Sequence, residues 1–226
     1  MTELPLLRSW LLALTQETMQ REEASDASHD YDHIVRVMAL ADTLQAREGG
    51  DLPIIWAAVA LHDIGQERER LHGGDHAIIG AEMAADLLTH TQFPQYAIPA
   101  VQQAIREHRL SGGIIPHTLE GRILYDADKI DCLGAIGISR LYCITGLYRQ
   151  KIYSELPPDI LEPVDPLTVR ALRRSPDYSP SIEFRLLFGN LPARMATTSG
   201  RALAQERYDY MANFFHRLQQ EIEGNL

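Results

Sequence analysis

Cysteine is nearly absent from the chain. Two occur among 226 residues, Cys132 and Cys143, in an apolar stretch without a CxxC spacing. A disulfide framework or a thiolate metal site therefore has no support, and a reducing, cytoplasmic compartment is the expectation. Positive charge is scarce as well: 21 Lys and Arg stand against 31 Asp and Glu, a formal net charge of -10. No basic stripe could track a phosphate backbone, which excludes duplex nucleic acid as an expected partner. No apolar run approaches the roughly 18 residues of a membrane span, so no membrane partner is expected. The opening "LPLLRSWLLALT" is broken by Arg8, preceded by Glu3 and followed by polar residues without a small-residue cleavage site, so it does not read as a signal peptide. Alternating strand patterns, internal repeats and low-complexity tracts are missing too.

What remains is helical periodicity. With 45% hydrophobic residues the chain can bury a substantial core, and the reading is one all-α domain over residues 1–226. A first helix from about Pro5 to Glu22 is expected to bury Leu4, Leu7, Leu11 and Leu14. A second has Ser28 or Asp30 as its cap, a stripe through Val37, Leu40, Ala41 and Leu44 with His33 one turn earlier, and Gly49-Gly50 as its stop. The third starts at Asp51 with Pro53 in its first turn, ends at Gly65, and is followed by a charged loop, "QERERLHGGD". Helices from about His76 to Thr89 and about Ile98 to Glu107 come next, the latter aligning Ile98, Val101, Ile105 and His108. After the Gly/Pro loop "RLSGGIIPH", one long helical stretch from near Thr118 carries Asp126, Asp128 and Asp131 and runs on through "CLGAIGISRLYCI". The Pro-rich, acidic segment from about 153 to 180 reads as a long loop with a short helix inside it, a length uncommon outside lids. A final helix from about Ser199 to Gly224 is expected to bury Leu203, Tyr210, Phe214 and Leu218.

The chemistry concentrates in "IIWAAVALHDIGQERER", where an apolar helix runs straight into His62-Asp63. Adjacent helical residues project about 100° apart, so such a pair can serve one point only at a helix end, with further ligands from neighbouring helices. His33 supplies one from the second helix, and "DADK" supplies an inward carboxylate from a third. Periodicity alone does not choose between Asp126 and Asp128, because both faces of that helix are partly apolar. A mixed imidazole and carboxylate set suits Mn, Mg, Fe, Co, Ni or Zn and leaves positions open for water and substrate. An acidic protein must also place positive charge locally to hold an anion. Arg36, one turn after His33, and Lys129, after Asp128, are the candidates. Asp131, one turn further, reads either as an orienting acceptor behind a ligand or as half of an ion pair. Arg68, Arg70 and Arg109 read as solvated surface charges, and His29, His72, His90, His117 and His216 as surface or structural residues.

The ordered set H…HD…D, with "SHDYDHIVRV", "AVALHDIG", "HAIIGAEMA", "TLEGRILYDADKIDCLGAIGISR" and "MATTSGRALAQERYDYMANFF", resembles the HD-domain metal-dependent phosphohydrolase superfamily, and within it a bacterial subgroup of small stand-alone members. The resemblance runs from about Asp26 to Phe215, with the Pro-rich loop least constrained. It implies an HD-domain helical bundle (core about 26–150) with additional C-terminal helices. It implies His33, His62, Asp63 and Asp128 as ligands of a divalent ion, choosing Asp128 over Asp126 because the family's last acidic ligand commonly follows a small residue and precedes a basic or polar one. Hydrolysis of a phosphate ester or anhydride in a small phosphorylated substrate, with nucleotides favoured, is the implied activity. His76 and His108 fall where two-metal relatives place further histidines, but Gln66 stands where those relatives have Lys, and only a single His precedes the glycine loop. The expectation is therefore one ion, with Asp63, His76 and His108 catalytic and Arg36 and Lys129 on the substrate. Rival expectations are a di-iron oxygenase, which needs His76 and His108 as full ligands, and a nucleotide-sensing module without turnover.

Overall fold

In this computed structural model residues 4–21, 31–109, 115–155, 172–173 and 175–225 are described. Among them every regular element is helical. They are α1 (Leu4–Arg21), α2 (Tyr31–Glu48), α3 (Leu52–Leu61), α4 (Gln66–His72), α5 (His76–Thr89), α6 (Ile98–Arg106), α7 (Leu119–Asp131), α8 (Gly134–Tyr148), α9 (Pro180–Glu183) and α10 (Thr198–Ile222), with a π-turn at Phe184–Phe188. No single described helix is long and apolar enough to cross a membrane. The expected caps at Ser28 and Asp30, most of the Gly/Pro loop, and the greater part of the Pro-rich segment lie outside the described residues.

The chain divides into two compact units, residues 1–128 with 196–200, and residues 129–195 with 201–226. In the first, α3 is the central rod. It packs against α1, α2, α5 and α6, and all of Ile55–Leu61 is buried. A helix apolar on every side has to be a core helix. Its start is built as the sequence suggests, with the Asp51 side chain accepting from the Ile54 amide (3.2 Å) and Pro in the first turn. Leu11, Thr15 and Met19 form the buried stripe of α1, whereas Leu4 is 46% exposed in its first turn, contrary to expectation. Thr15 can be buried there because its hydroxyl donates to the Ala60 carbonyl at 2.8 Å, which satisfies it on α3.

Two helical boundaries differ from the sequence reading. The third helix stops at Leu61 rather than Gly65, and the charged stretch after it is no loop but α4, all of whose residues stay out of the core. The long stretch from Thr118 breaks at Cys132–Leu133. Gly134 takes a φ of +73°, and a Cβ on Gly137 would lie 2.1 Å from the Cys132 carbonyl oxygen. In the second unit α8 packs on α9, and Phe184 stacks between Tyr208 (5.2 Å) and Phe215 (4.8 Å). The buried stripe of α10 runs through Ala204, Met211 and Phe215. Tyr210 is exposed, and Leu203, Phe214 and Leu218 are half-buried on the flank.

Candidate metal and phosphate site

Six side chains converge within the first unit: His33 from α2, His62 and Asp63 from the turn after α3, His76 from the start of α5, His108 just beyond α6, and Asp128 from α7. Local sequence explains each placement. His62 caps the C-terminus of α3, and its Nδ1 lies 2.8 Å from the Val59 carbonyl. A carbonyl can only accept, so the hydrogen sits on Nδ1 and the lone pair on Nε2. Asp75 caps α5 by accepting from the Ala77 amide at 2.9 Å, which places His76 as the first helical residue. The turn and α5 meet backbone to backbone: a Cβ on Gly65 would lie 2.4 Å from the His76 carbonyl oxygen and 2.6 Å from the Gly80 nitrogen. Only glycine permits that approach.

Asp63 faces two ways. Its Oδ2 is 3.7 Å from His33 Nε2 and 3.5 Å from His62 Nε2, and Asp128 Oδ1 completes that side at 3.5 and 4.0 Å from the same nitrogens. Its Oδ1 is 4.0 Å from His76 Nε2 and 3.8 Å from His108 Nε2. These spacings exceed hydrogen-bond contact. They fit donors arranged around ions, and two such groups form here: His33, His62 and Asp128, and His62, Asp63 and His108.

The donor set passes a chemical test for a divalent cation. His62 Nε2 is buried without a hydrogen-bond partner. Burial pushes the pKa of His62 down against the opposing pull of Asp63 and Asp128, which keeps the imidazole neutral and able to ligate. A bare lone pair and carboxylate oxygens facing one another in a buried pocket call for positive charge.

Elsewhere the structure separates residues that the sequence leaves together. Asp126 has no part in this cluster. Its Oδ1 accepts from the Ala196 amide (2.7 Å), and its Oδ2 from the Thr197 amide (2.8 Å) and hydroxyl (2.7 Å). Asp131 is buried and pairs with Arg140 at 3.0 Å, the ion-pair alternative. Arg36 is half-buried one turn from His33, and Lys129 is half-buried next to Asp128. Arg109 is not the solvated charge expected of it. Its guanidinium lies 2.9 Å from Asp75 Oδ2 and 3.6 Å from Glu69 Oε1, while Glu69 Oε2 is 2.6 Å from His76 Nδ1. Sequence reasoning also missed Glu69, which hides in a run of charges on α4.

Residues 30–133 match the HD domain family. A predicted HD superfamily hydrolase from an uncultured Thermotogales bacterium is 28% identical with a TM-score of 0.65, covering 94% of this chain and 91% of its own. An HD-superfamily hydrolase from Bacillus thuringiensis is 25% identical with a TM-score of 0.70 over 98% and 99% of the two chains. Bacillus subtilis YpgQ, an uncharacterised protein, is 22% identical over 96% of this chain and 93% of its own length. Its structure in complex with ADP superposes with a TM-score of 0.68 over 95% and 94% of the chains.

Proposed function

We propose that this chain, whose residues 30–133 match the HD domain family and which is similar along its length to HD-superfamily hydrolases, is a metal-dependent phosphohydrolase acting on a small phosphorylated metabolite, a nucleotide in the first instance. The observation that carries the reading is the buried, partnerless Nε2 of His62 among Asp63, Asp128 and His33, a donor set of the kind that holds a divalent ion. The nucleotide preference rests on the ADP found with YpgQ.

His33, His62, Asp63 and Asp128 would hold the ion. Once bound, it would supply positive charge against a phosphoryl oxygen and lower the pKa of a water from ~15.7 toward ~7. The remaining work falls to the chain. The Asp63 carboxylate accepts a hydrogen bond from the attacking water and directs a lone pair of that water toward phosphorus. His76 and His108, on the other side of Asp63, face the phosphoryl group; with Nδ1–H kept on its partner, each can take up a proton at Nε2, and in that form it stabilises the developing charge and can protonate the leaving oxygen. Arg36 and Lys129 bind the anionic substrate by charge.

A second reading is favoured by one geometric fact. His76 Nδ1 faces a carboxylate and His108 Nδ1 faces the Ile105 carbonyl at 2.6 Å, so while both rings are neutral their Nε2 lone pairs point inward, 3.3 Å apart. A second cation beside Asp63 Oδ1 would satisfy both.

Protein loaded with Mn, Co or Mg and offered a panel of nucleotides and phosphorylated metabolites should release phosphate or pyrophosphate from a subset of them. Chelation should abolish turnover and add-back restore it. Full turnover by thoroughly demetallated protein would overturn the reading.

A further inference from the structure

Helix α4 carries no core residue, yet it sends Glu69 to the histidine pair. The Glu69 carboxylate accepts from His76 Nδ1 at 2.6 Å, and its other oxygen is 3.6 Å from the Arg109 guanidinium. Arg109 also pairs with Asp75, the residue that caps α5 immediately before His76, and it directly follows His108 in the chain. One guanidinium thus ties together α4, the N-cap of α5 and the residue after His108. A neutral imidazole in water can carry its hydrogen on either nitrogen, and the partner of one nitrogen decides the state of the other. Only when Nδ1 carries the hydrogen does Nε2 present a lone pair toward Asp63 and His108.

We propose that Glu69, held by Arg109, is a positioning residue that locks His76 in the Nδ1–H form and aims its Nε2 at the site. Carboxylates behind histidines set ring orientation and basicity in this way, and their loss typically costs ~10–100-fold in function. Arg109 contributes by fixing the carboxylate, so its removal has the smaller effect. This deepens the phosphohydrolase reading for the kinetic part alone, because the hydrogen's position on His76 is independent of any substrate.

The test uses the full chain loaded with Zn²⁺, a diamagnetic ion, and records imidazole ¹H–¹⁵N correlations at a pH where histidine is neutral. The His76 signals are assigned by their absence in His76→Gln. Wild type should show the hydrogen on Nδ1, Glu69→Gln should keep it there through the amide oxygen, and Glu69→Ala should move it partly or wholly to Nε2. With ATP as the probe in Mn²⁺, Glu69→Ala should lower kcat about 10–100-fold with KM little changed, Glu69→Gln should recover most of the loss, and Arg109→Ala should fall between Glu69→Gln and Glu69→Ala. An Nε2–H form in wild type, or an unchanged Nδ1–H form in Glu69→Ala, overturns the proposal. A uniform drop in melting temperature without a change of tautomer does so too, since that is what a merely structural ion pair predicts. If wild type leaves ATP intact, the substrate reading suffers while the spectra still decide the role of Glu69.

Discussion

Asp126 and Asp128 lie two positions apart on α7, and both are buried. Around Asp126 the fold supplies donors: two amides and a hydroxyl from Ala196 and Thr197, while Glu48 accepts from the Ser199 amide at 2.6 Å in the next turn. Around Asp128 it supplies imidazole nitrogens, Nε2 of His33 and of His62, the latter an acceptor. Desolvation raises the pKa of Asp126, and the hydrogen bonds oppose that rise only in part. The same residue type therefore closes a structural seam in one place and helps leave an electrostatic need in the other. A buried carboxylate is read by what surrounds it, donors for architecture and lone pairs for a guest.

The sharpest way to break this comparison is to remove ligands from the second region. His62→Ala and Asp63→Ala should each lower activity by more than about 100-fold while leaving the far-ultraviolet helical signal intact, because both lie in the turn beyond α3 and not in its packed middle. Collapse of the helical signal would assign the pair to architecture instead. Next in size is the exchange between the two aspartates. Asp128→Asn should weaken Mn²⁺ binding by about tenfold or more in calorimetric titration. Asp126→Asn should leave that affinity within a few-fold but lower unfolding free energy by ~1–3 kcal/mol, since an amide NH₂ would face the donors of Ala196 and Thr197. The opposite pattern would move Asp128 out of the ion's reach and Asp126 into it.

Stoichiometry sharpens the second region further. If His76 and His108 serve the phosphate, His76→Ala and His108→Ala should reduce turnover while about one ion per chain remains in elemental analysis. A fall from two ions toward one would establish the two-cation reading. The smallest effect belongs to Glu48. Its hydrogen bond to Ser199 holds its carboxyl below the ordinary 4.5. Since the folded pKa lies below the unfolded one, this contribution is present above about pH 4.5 and is lost as pH falls through the lower folded value. Glu48→Gln should flatten that part of the stability-versus-pH curve by less than ~1 kcal/mol in urea titrations, because the group is solvent-screened.

Much of this was legible from local patterns. The apolar rod of α3 running into His62-Asp63, its Asp51 cap and the His33 position on the α2 stripe all follow from periodicity and capping residues within a few positions of one another. Features that depend on remote partners were not. Asp126 meets residues 70 positions later, and Arg109 meets Glu69 and Asp75 across more than 30. No spacing rule announces such pairs. Helix α4 escaped because it buries nothing, so no apolar period marks it. The break before α8 escaped because the left-handed φ of Gly134 is a backbone property shared by no pattern of side chains.

The contact of Gly65 with the His76 carbonyl and Gly80 makes a mechanical stop. Side chains can repack around a guest of different size, but two main chains already touching cannot come closer. Any breathing of the cluster between the His62-Asp63 turn and α5 is therefore one-sided: the gap can widen and relax back to its stop, and it cannot shrink below it. The separation between the His62-Asp63 turn and the start of α5, and with it the reach His76 needs to meet Asp63, therefore has a floor set by main chain and not by side chains.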